Sequence, residues 1–228
     1  MLDLKTIEDL KQQIIKVFNK NLISFYYEKI EPDFLKERNT INLLIILNEI
    51  SLQEFDLFAK ELSKFNNASK KITFIPKIFT FDELKTSVDV FPIEFLELQE
   101  KSELLYGEDT LKTIIVNIAN LRNECEFYLR SHLLKLREAY LTPNRNLTKL
   151  IQDSYPSFII IFKHILRIFN NICVKNNQEI IKSLANRINF KSELFSEILV
   201  NLNKTKLDNY FPFYLDGLQQ IVKQVDQL

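Results

Sequence analysis

One stretch near the start of the chain constrains the fold more than any other, namely residues 39–50, which read Asn-Thr-Ile-Asn-Leu-Leu-Ile-Ile-Leu-Asn-Glu-Ile. Seven of the nine residues after Asn39 are β-branched or leucine, and no glycine or proline interrupts them. A continuous apolar run bounded by polar residues is typical of a strand that is buried on both faces within a helix-covered sheet. Thr40 and Asn42 lie two positions apart near its start, so we expect their side chains on the same face of the sheet.

Apolar periodicity on either side of this strand predicts a mixed region followed by an all-helical region. In the first region we predict helices at about 7–19, 51–65 and 81–90, strands at about 22–30, 39–50, 72–79 and 92–98 (the last a strand or extended segment), and a turn at 106–109. In the second we predict helices at about 111–140, 147–170, 177–186, 191–202 and 206–227. The fold class is therefore α+β or α/β, a small mixed sheet with flanking helices, followed by an antiparallel helical bundle. We predict domains at 1–109 and 110–228.

Composition argues against several classes of function. Lys and Arg together number 30, as do Asp and Glu, and this balance argues against a dedicated nucleic-acid binder, which usually has a basic excess. The sequence contains only two glycines, Gly107 and Gly217. This argues against a glycine-rich loop whose backbone must approach a phosphate closely. The first residues lack the apolar core of a signal peptide, and no apolar run is long enough to cross a bilayer. Because Cys125 and Cys173 have no close partners in sequence, we expect a cytoplasmic protein.

Several separated segments share a pattern with one known group of proteins. They are Phe91-Pro-Ile-Glu-Phe-Leu-Glu-Leu-Gln-Glu, Leu105-Tyr-Gly-Glu-Asp, Leu121-Arg-Asn-Glu-Cys-Glu, Leu133-Leu-Lys-Leu-Arg-Glu-Ala-Tyr-Leu, Tyr214-Leu-Asp-Gly-Leu and Val225-Asp. In this order they resemble bacterial nucleotidyltransferase-like proteins, which join a minimal polymerase-beta-like nucleotidyltransferase domain to a helical C-terminal domain. The likeness covers most of the chain and implies the same two-part architecture.

The resemblance also assigns positions to an active site. In that superfamily one strand ends in Gly-Ser, and the next opens with an Asp-x-Asp pair that, with a third carboxylate, holds Mg²⁺ on a nucleoside triphosphate. The Gly and Ser positions correspond here to Tyr27 and Glu28, and the aspartate positions correspond to Thr40 and Asn42. On this assignment Tyr27 would fill space needed by the phosphates, and Glu28 would repel them. Thr40 and Asn42 are neutral, whereas Mg²⁺ favours charged oxygen ligands.

Two acids further along the chain, Glu94 and Glu97, remain as possible carboxylates. We therefore predict a catalytically inactive nucleotidyltransferase-like protein, with no resident metal or cofactor, that acts as a binding or scaffolding module. One alternative is an active transferase that uses Glu94 or Glu97 with Mg²⁺ and a nucleotide. Another is a structural subunit of a larger complex, which predicts an exposed apolar patch on the bundle. As partner we expect another protein or a second copy in a homodimer, without a membrane, and a bound nucleotide remains an alternative.

Charged and titratable residues recur along the long predicted helix. Arg122, Arg130 and Arg137 could face a pocket between the predicted domains, although a solvated or salt-bridged stripe is the commoner role of such residues. His132 and His164 are expected to pack or hydrogen-bond within helices rather than act as ligands or bases. These residues therefore add no catalytic motif to the prediction.

Overall fold

The computed structural model describes residues 4–28, 39–68, 72–170, 174, 176–204 and 206–227. The chain divides into two compact units, 1–116 and 117–228. The predicted domain boundary after residue 109 lies a few residues before this division. Leu111 and Ile114 account for the difference, because both pack into a hydrophobic core of the first unit.

The first unit contains a four-stranded mixed sheet with helices on both faces. Its elements are α1 (Leu4–Phe18), β1 (Leu22–Glu28), β2 (Asn39–Leu47), α2 (Leu52–Ala68), β3 (Ile72–Thr80), α3 (Phe81–Thr86), α4 (Pro92–Lys101) and β4 (Ser102–Gly107), with 3-10 turns at Asn19–Asn21 and Thr110–Thr113. The strand order is β3-β2-β1-β4. Strands β2 and β3 are parallel, whereas β1 is antiparallel to both β2 and β4. The predicted mixed sheet with flanking helices is confirmed.

Strand β2 lies in the interior of the sheet, as its continuous apolar sequence predicts. Ile41, Leu43 and Ile45 pack into the core that includes residues of α1 and α2. Leu44 and Ile46 pack into the second core, on the opposite face, which includes residues of α3 and α4. Successive residues of a strand alternate between faces, so this single run supplies the centre of both cores.

The predicted strand at 92–98 is wrong, because these residues form helix α4. Pro92 occupies the start of the helix, where its missing N–H has no intrahelical partner to lose and its fixed φ suits the helical backbone. The fourth strand is β4, which begins immediately after α4 ends and includes part of the predicted turn at 106–109. Glu94 and Glu97 therefore lie on a helix and not on a strand.

The second unit is helical. Its elements are α5 (Ile118–Leu141), α6 (Leu147–Asn170), α7 (Asn177–Ala185), α8 (Ser192–Asn201) and α9 (Phe211–Val225), with a 3-10 turn at Asp208–Tyr210. Its core is strongly aromatic. The ring of Phe195 lies 5.3–6.4 Å, centroid to centroid, from the rings of Tyr155, Phe162, Phe190 and Tyr214. Over the ranges described above, no helix combines the length and apolar character needed to cross a membrane.

Helix α5 begins later than the predicted start at residue 111. The side chain of Asn117 caps it, and its Oδ1 accepts a hydrogen bond from the Ala119 N–H at 2.8 Å. Such a cap satisfies one of the backbone donors that have no partner in the first turn. Leu111 and Ile114 continue the apolar spacing of the helix in sequence, but they belong to the core of the first unit.

Candidate functional site

Four polar side chains meet where β1 ends and β2 begins, and we call them the strand-mouth cluster: Glu28, Asn42, Lys77 and Glu94. The Asn42 side-chain amide donates a hydrogen bond to Glu28 Oε2 at 2.8 Å. Lys77 Nζ lies 3.9 Å from Glu28 Oε1 and forms a hydrogen-bonded ion pair with Glu94 Oε1. The cluster therefore links β1, β2 and β3 to one another, and Lys77 makes the contact with helix α4.

The pairing of the strands brings these residues together. In the antiparallel β1–β2 pair, Tyr27 lies opposite Leu43, so the next residue, Glu28, comes beside Asn42. In the parallel β2–β3 pair, Leu44 lies beside Lys77. Because side chains two apart on a strand share a face, Asn42 and Lys77 lie on the same face of the sheet, and helix α4 brings Glu94 to that face.

The cluster contains two carboxylates and one ammonium group in a partly buried setting. The exposed fractions of the side chains are 19% for Glu28, 37% for Lys77 and 41% for Glu94. Two carboxylates brought together at this level of exposure repel each other, and a cation between them offsets this repulsion. Lys77 supplies that cation from within the chain.

The cluster does not fit the Mg²⁺ ion that the sequence resemblance implies. Magnesium requires an octahedral set of oxygen ligands that usually includes one or two carboxylates. Here the Lys77 ammonium is hydrogen-bonded to Glu94 and lies 3.9 Å from Glu28, and its positive charge would repel a metal. The β3 residues paired with Thr40 and Asn42 are Thr73 and Ile75, so the neighbouring strand adds no acid. Within the part of the chain that the structure describes, no group of three or more His, Cys, Asp or Glu residues could hold a metal ion.

Two of the residues assigned by resemblance lie apart from the cluster's contacts. Tyr27 packs against the core on the α1 and α2 face, and its hydroxyl donates a hydrogen bond to Glu103 Oε2 at 3.2 Å. Its side chain is therefore on the opposite face of the sheet from Glu28, and its predicted steric role against phosphates stays a prediction. Thr40 is exposed and shares a face with Asn42 by strand alternation.

The two possible replacement acids lie on α4 and have different partners. Glu94 belongs to the strand-mouth cluster through Lys77. Glu97 forms an ion pair with Lys101 one turn further along the same helix, with Nζ and Oε2 2.6 Å apart. Each acid therefore already has a lysine as counter-ion.

Lys77 is the member of the cluster that sequence reasoning missed. It follows Pro76 in a strand and belongs to no motif. One signal was available, because Phe79, two positions further along the same face of β3, packs against a hydrophobic core. A charge on such a face must be paired or reach solvent, and this lysine could have been singled out on that ground.

A second polar centre lies near the opposite edge of the sheet. The buried hydroxyl of Tyr26 accepts a hydrogen bond from the Leu111 N–H at 3.2 Å and lies 3.1 Å from Thr110 Oγ1, which is itself 2.9 Å from Ser24 Oγ. Beside it is a cavity of about 550 Å³, lined by residues of β1, α4, β4 and the segment 109–112. These bonds tie the segment after β4 to the sheet, and we assign them a structural role.

Comparison with solved structures identifies a similar fold. The chain is similar to spectinomycin adenyltransferase AAD(9) from Enterococcus faecialis, whose crystal structure contains ATP and spectinomycin, with a TM-score of 0.58 and 12% sequence identity over 94% of this chain and 98% of that chain. At this identity the similarity shows the fold alone, so the chain has a nucleotidyltransferase-like fold. No protein-family description matches the sequence, and no curated protein matches it either.

Proposed function

We propose that this chain is a nucleotidyltransferase-like protein that has lost metal-dependent nucleotide transfer and acts as a binding or scaffolding module. The observation that carries the proposal is the position of the Lys77 ammonium, in contact with Glu94 and 3.9 Å from Glu28. Phosphoryl-transfer sites of this kind depend on metal ions that neutralise the charge of the phosphates. Here a side-chain cation engages the carboxylates that could have held such an ion.

The neighbouring positions support the same proposal. Thr40 and Asn42 stand where the resemblance places the metal-binding aspartates, and neither side chain carries a charge. Without these two charges, the attraction between the strand mouth and a divalent cation is much reduced. Asn42 also uses its amide group to donate a hydrogen bond to Glu28, so it stabilises the cluster in its lysine-bound form.

An active transferase would have to recruit Glu94 or Glu97. Both carboxylates form ion pairs, with Lys77 and Lys101 respectively, and metal binding would have to displace these lysines. The contacts therefore favour the inactive protein over the active alternative. We propose no resident metal or nucleotide.

A line of exposed apolar side chains on α5 supports the binding role. Phe127, Leu134 and Leu141 are 64%, 55% and 80% exposed. They are seven residues apart, so they form one stripe along the helix. Exposed apolar residues that are aligned in this way are characteristic of protein interaction surfaces. We propose that this stripe binds a protein partner, with a second copy of the chain in a homodimer as the first candidate.

Manganese binding, followed by electron paramagnetic resonance in the presence of ATP, tests the loss of the metal site. Because the strand-mouth carboxylates are held by Lys77, we expect the wild-type chain to bind no more Mn²⁺ than the Glu28→Gln/Glu94→Gln variant. The matched control is Glu61→Gln, which removes a partly exposed acid that is paired with Lys64 in α2. Tighter Mn²⁺ binding by the wild type and by the control than by the double variant would overturn the proposal.

Replacing the lysine provides the converse measurement. In Lys77→Met the two carboxylates lose their shared cation, so we expect weak Mn²⁺ binding to appear and to disappear again in Lys77→Met/Glu94→Gln. Lys101→Met removes the lysine that is paired with Glu97 instead, and it is expected to gain no binding. A gain in Lys101→Met equal to that in Lys77→Met would contradict the role given to Lys77.

A further inference from the structure

A small basic cavity lies between α5 and α9 within the second unit. Its volume is about 250 Å³, and it is lined by Arg130, Leu133, Arg137, Gln219, Val222 and Lys223. The spacing of these residues places three on one face of each helix. Leu133 and Val222 are buried and form an apolar floor, while the two arginines, the lysine and the glutamine carry the polar groups.

The three cations of this cavity differ in their partners. Arg130 Nε lies 2.9 Å from Glu126 Oε1, and its Nη2 lies 2.5 Å from Asp226 Oδ1. The hydrogen bond from Arg130 holds the pKa of Asp226 below its ordinary value. By contrast, no carboxylate among the residues described pairs with Arg137 or Lys223. Arg137 and Lys223 thus line the cavity without a carboxylate partner among the described residues.

We infer that this cavity binds a small phosphate-bearing anion. The guanidinium of Arg137 presents a planar pair of donors that matches two phosphate oxygens, and Lys223 adds a compact positive charge. The side-chain amide of Gln219 can donate a further hydrogen bond. An anion held here would neutralise the repulsion between Arg137 and Lys223.

The size of the cavity limits the ligand. Pockets that enclose drug-sized molecules typically measure about 300–1,000 Å³, and this one is smaller at about 250 Å³. It therefore suits one or two phosphate groups rather than a whole nucleoside triphosphate. A polyanion such as RNA would need basic surface beyond the cavity, and the chain as a whole has no basic excess, with 30 basic and 30 acidic residues.

This cavity lies in the second unit, so anion binding here does not depend on whether the first unit has lost its metal site. Inorganic pyrophosphate at low ionic strength is the probe, and isothermal titration calorimetry of the full chain is the measurement. We expect one pyrophosphate to bind per wild-type chain, more tightly than inorganic phosphate. Arg137→Gln and Lys223→Gln should each weaken binding about tenfold or more, because each removes a charge-assisted contact.

The matched control is Lys182→Gln, which removes an exposed lysine of α7 that does not line the cavity. It should bind pyrophosphate as the wild type does. Arg137 and Lys223 are both exposed, so their variants should fold, which thermal melting by circular dichroism verifies. An absence of wild-type binding, or equal weakening by the control, overturns the inference. Arg137-dependent binding of a single-stranded RNA that exceeds pyrophosphate binding also overturns it.

Discussion

Two adjacent tyrosines in β1 make unequal contributions because they lie on opposite faces of the sheet. Tyr26 is 1% exposed, and its hydroxyl accepts the Leu111 N–H and lies 3.1 Å from Thr110 Oγ1. Tyr27 is partly exposed, and its hydroxyl bonds to the exposed side chain of Glu103. The tyrosine side chain is therefore buried and hydrogen-bonded within the core at position 26, whereas at position 27 it is partly exposed.

Substitution of these tyrosines by phenylalanine isolates the two hydroxyls. Tyr26→Phe should lower the free energy of unfolding by about 1–3 kcal/mol, because it leaves the buried Leu111 N–H without an acceptor. Tyr27→Phe should change it by less than about 0.5 kcal/mol, since water can replace the bond to Glu103. Urea denaturation of both variants measures the difference. Equal losses would show that Tyr26 is not the link between the sheet and the segment after β4.

Only part of the strand-mouth cluster could be predicted from the sequence. Strand alternation predicts that Thr40 and Asn42 share a face, because that inference needs only the period of a strand, and both residues lie in β2. The role of Lys77 depends on the parallel pairing of β2 with β3 and on the position of α4. The sequence offered a charge next to apolar residues of β3 as a signal, but the partners of Lys77 lie on distant segments and could not be predicted from any local pattern.

Helix α5 presents an apolar stripe that its own unit does not cover. Phe127, Leu134 and Leu141 all have more than half of their side-chain surface exposed. A helix that only supported a core would place polar residues on this outer face. Substitutions in this stripe therefore test the proposed self-association.

A charge placed in the middle of the stripe should disrupt the proposed homodimer. We expect the wild type to elute as a dimer in size-exclusion chromatography with light scattering, and Leu134→Glu to elute as a monomer, because a buried unpaired carboxylate is costly at an interface. Leu52→Glu is the control, since Leu52 is 76% exposed in α2 and lies off the stripe. A wild-type monomer at high concentration, or a dimer that survives Leu134→Glu, would contradict the proposal.

At the scale of elements, strong periodicity predicted structure well and short apolar runs did not. Strand β2 and helices α6 and α7 lie close to their predicted ranges, because long runs and amphipathic stripes are specific signals. The segment 92–98 was misassigned because a short apolar run suits a buried strand and a buried helix equally. The start of α5 was placed too early because Leu111 and Ile114 match its spacing although they pack elsewhere.

In the molecule as a whole, the fold and the chemistry of the candidate site depend on different residues. Its nucleotidyltransferase-like fold is similar to that of an adenyltransferase at 12% identity, so the architecture depends on the apolar pattern and tolerates extensive substitution. A function, in contrast, depends on a few side chains. At the strand mouth of this chain, Lys77 forms ion pairs with Glu28 and Glu94.

A nucleotide-transfer assay tests the central claim most directly. The purified chain is incubated with Mg²⁺, each α-phosphate-labelled nucleoside triphosphate and a panel of hydroxyl-bearing acceptors. Because Lys77 engages Glu28 and Glu94, we predict that the wild type transfers no more label than Glu28→Gln/Glu94→Gln. Metal-dependent transfer by the wild type that persists in Glu61→Gln and is abolished in the double variant would contradict the account.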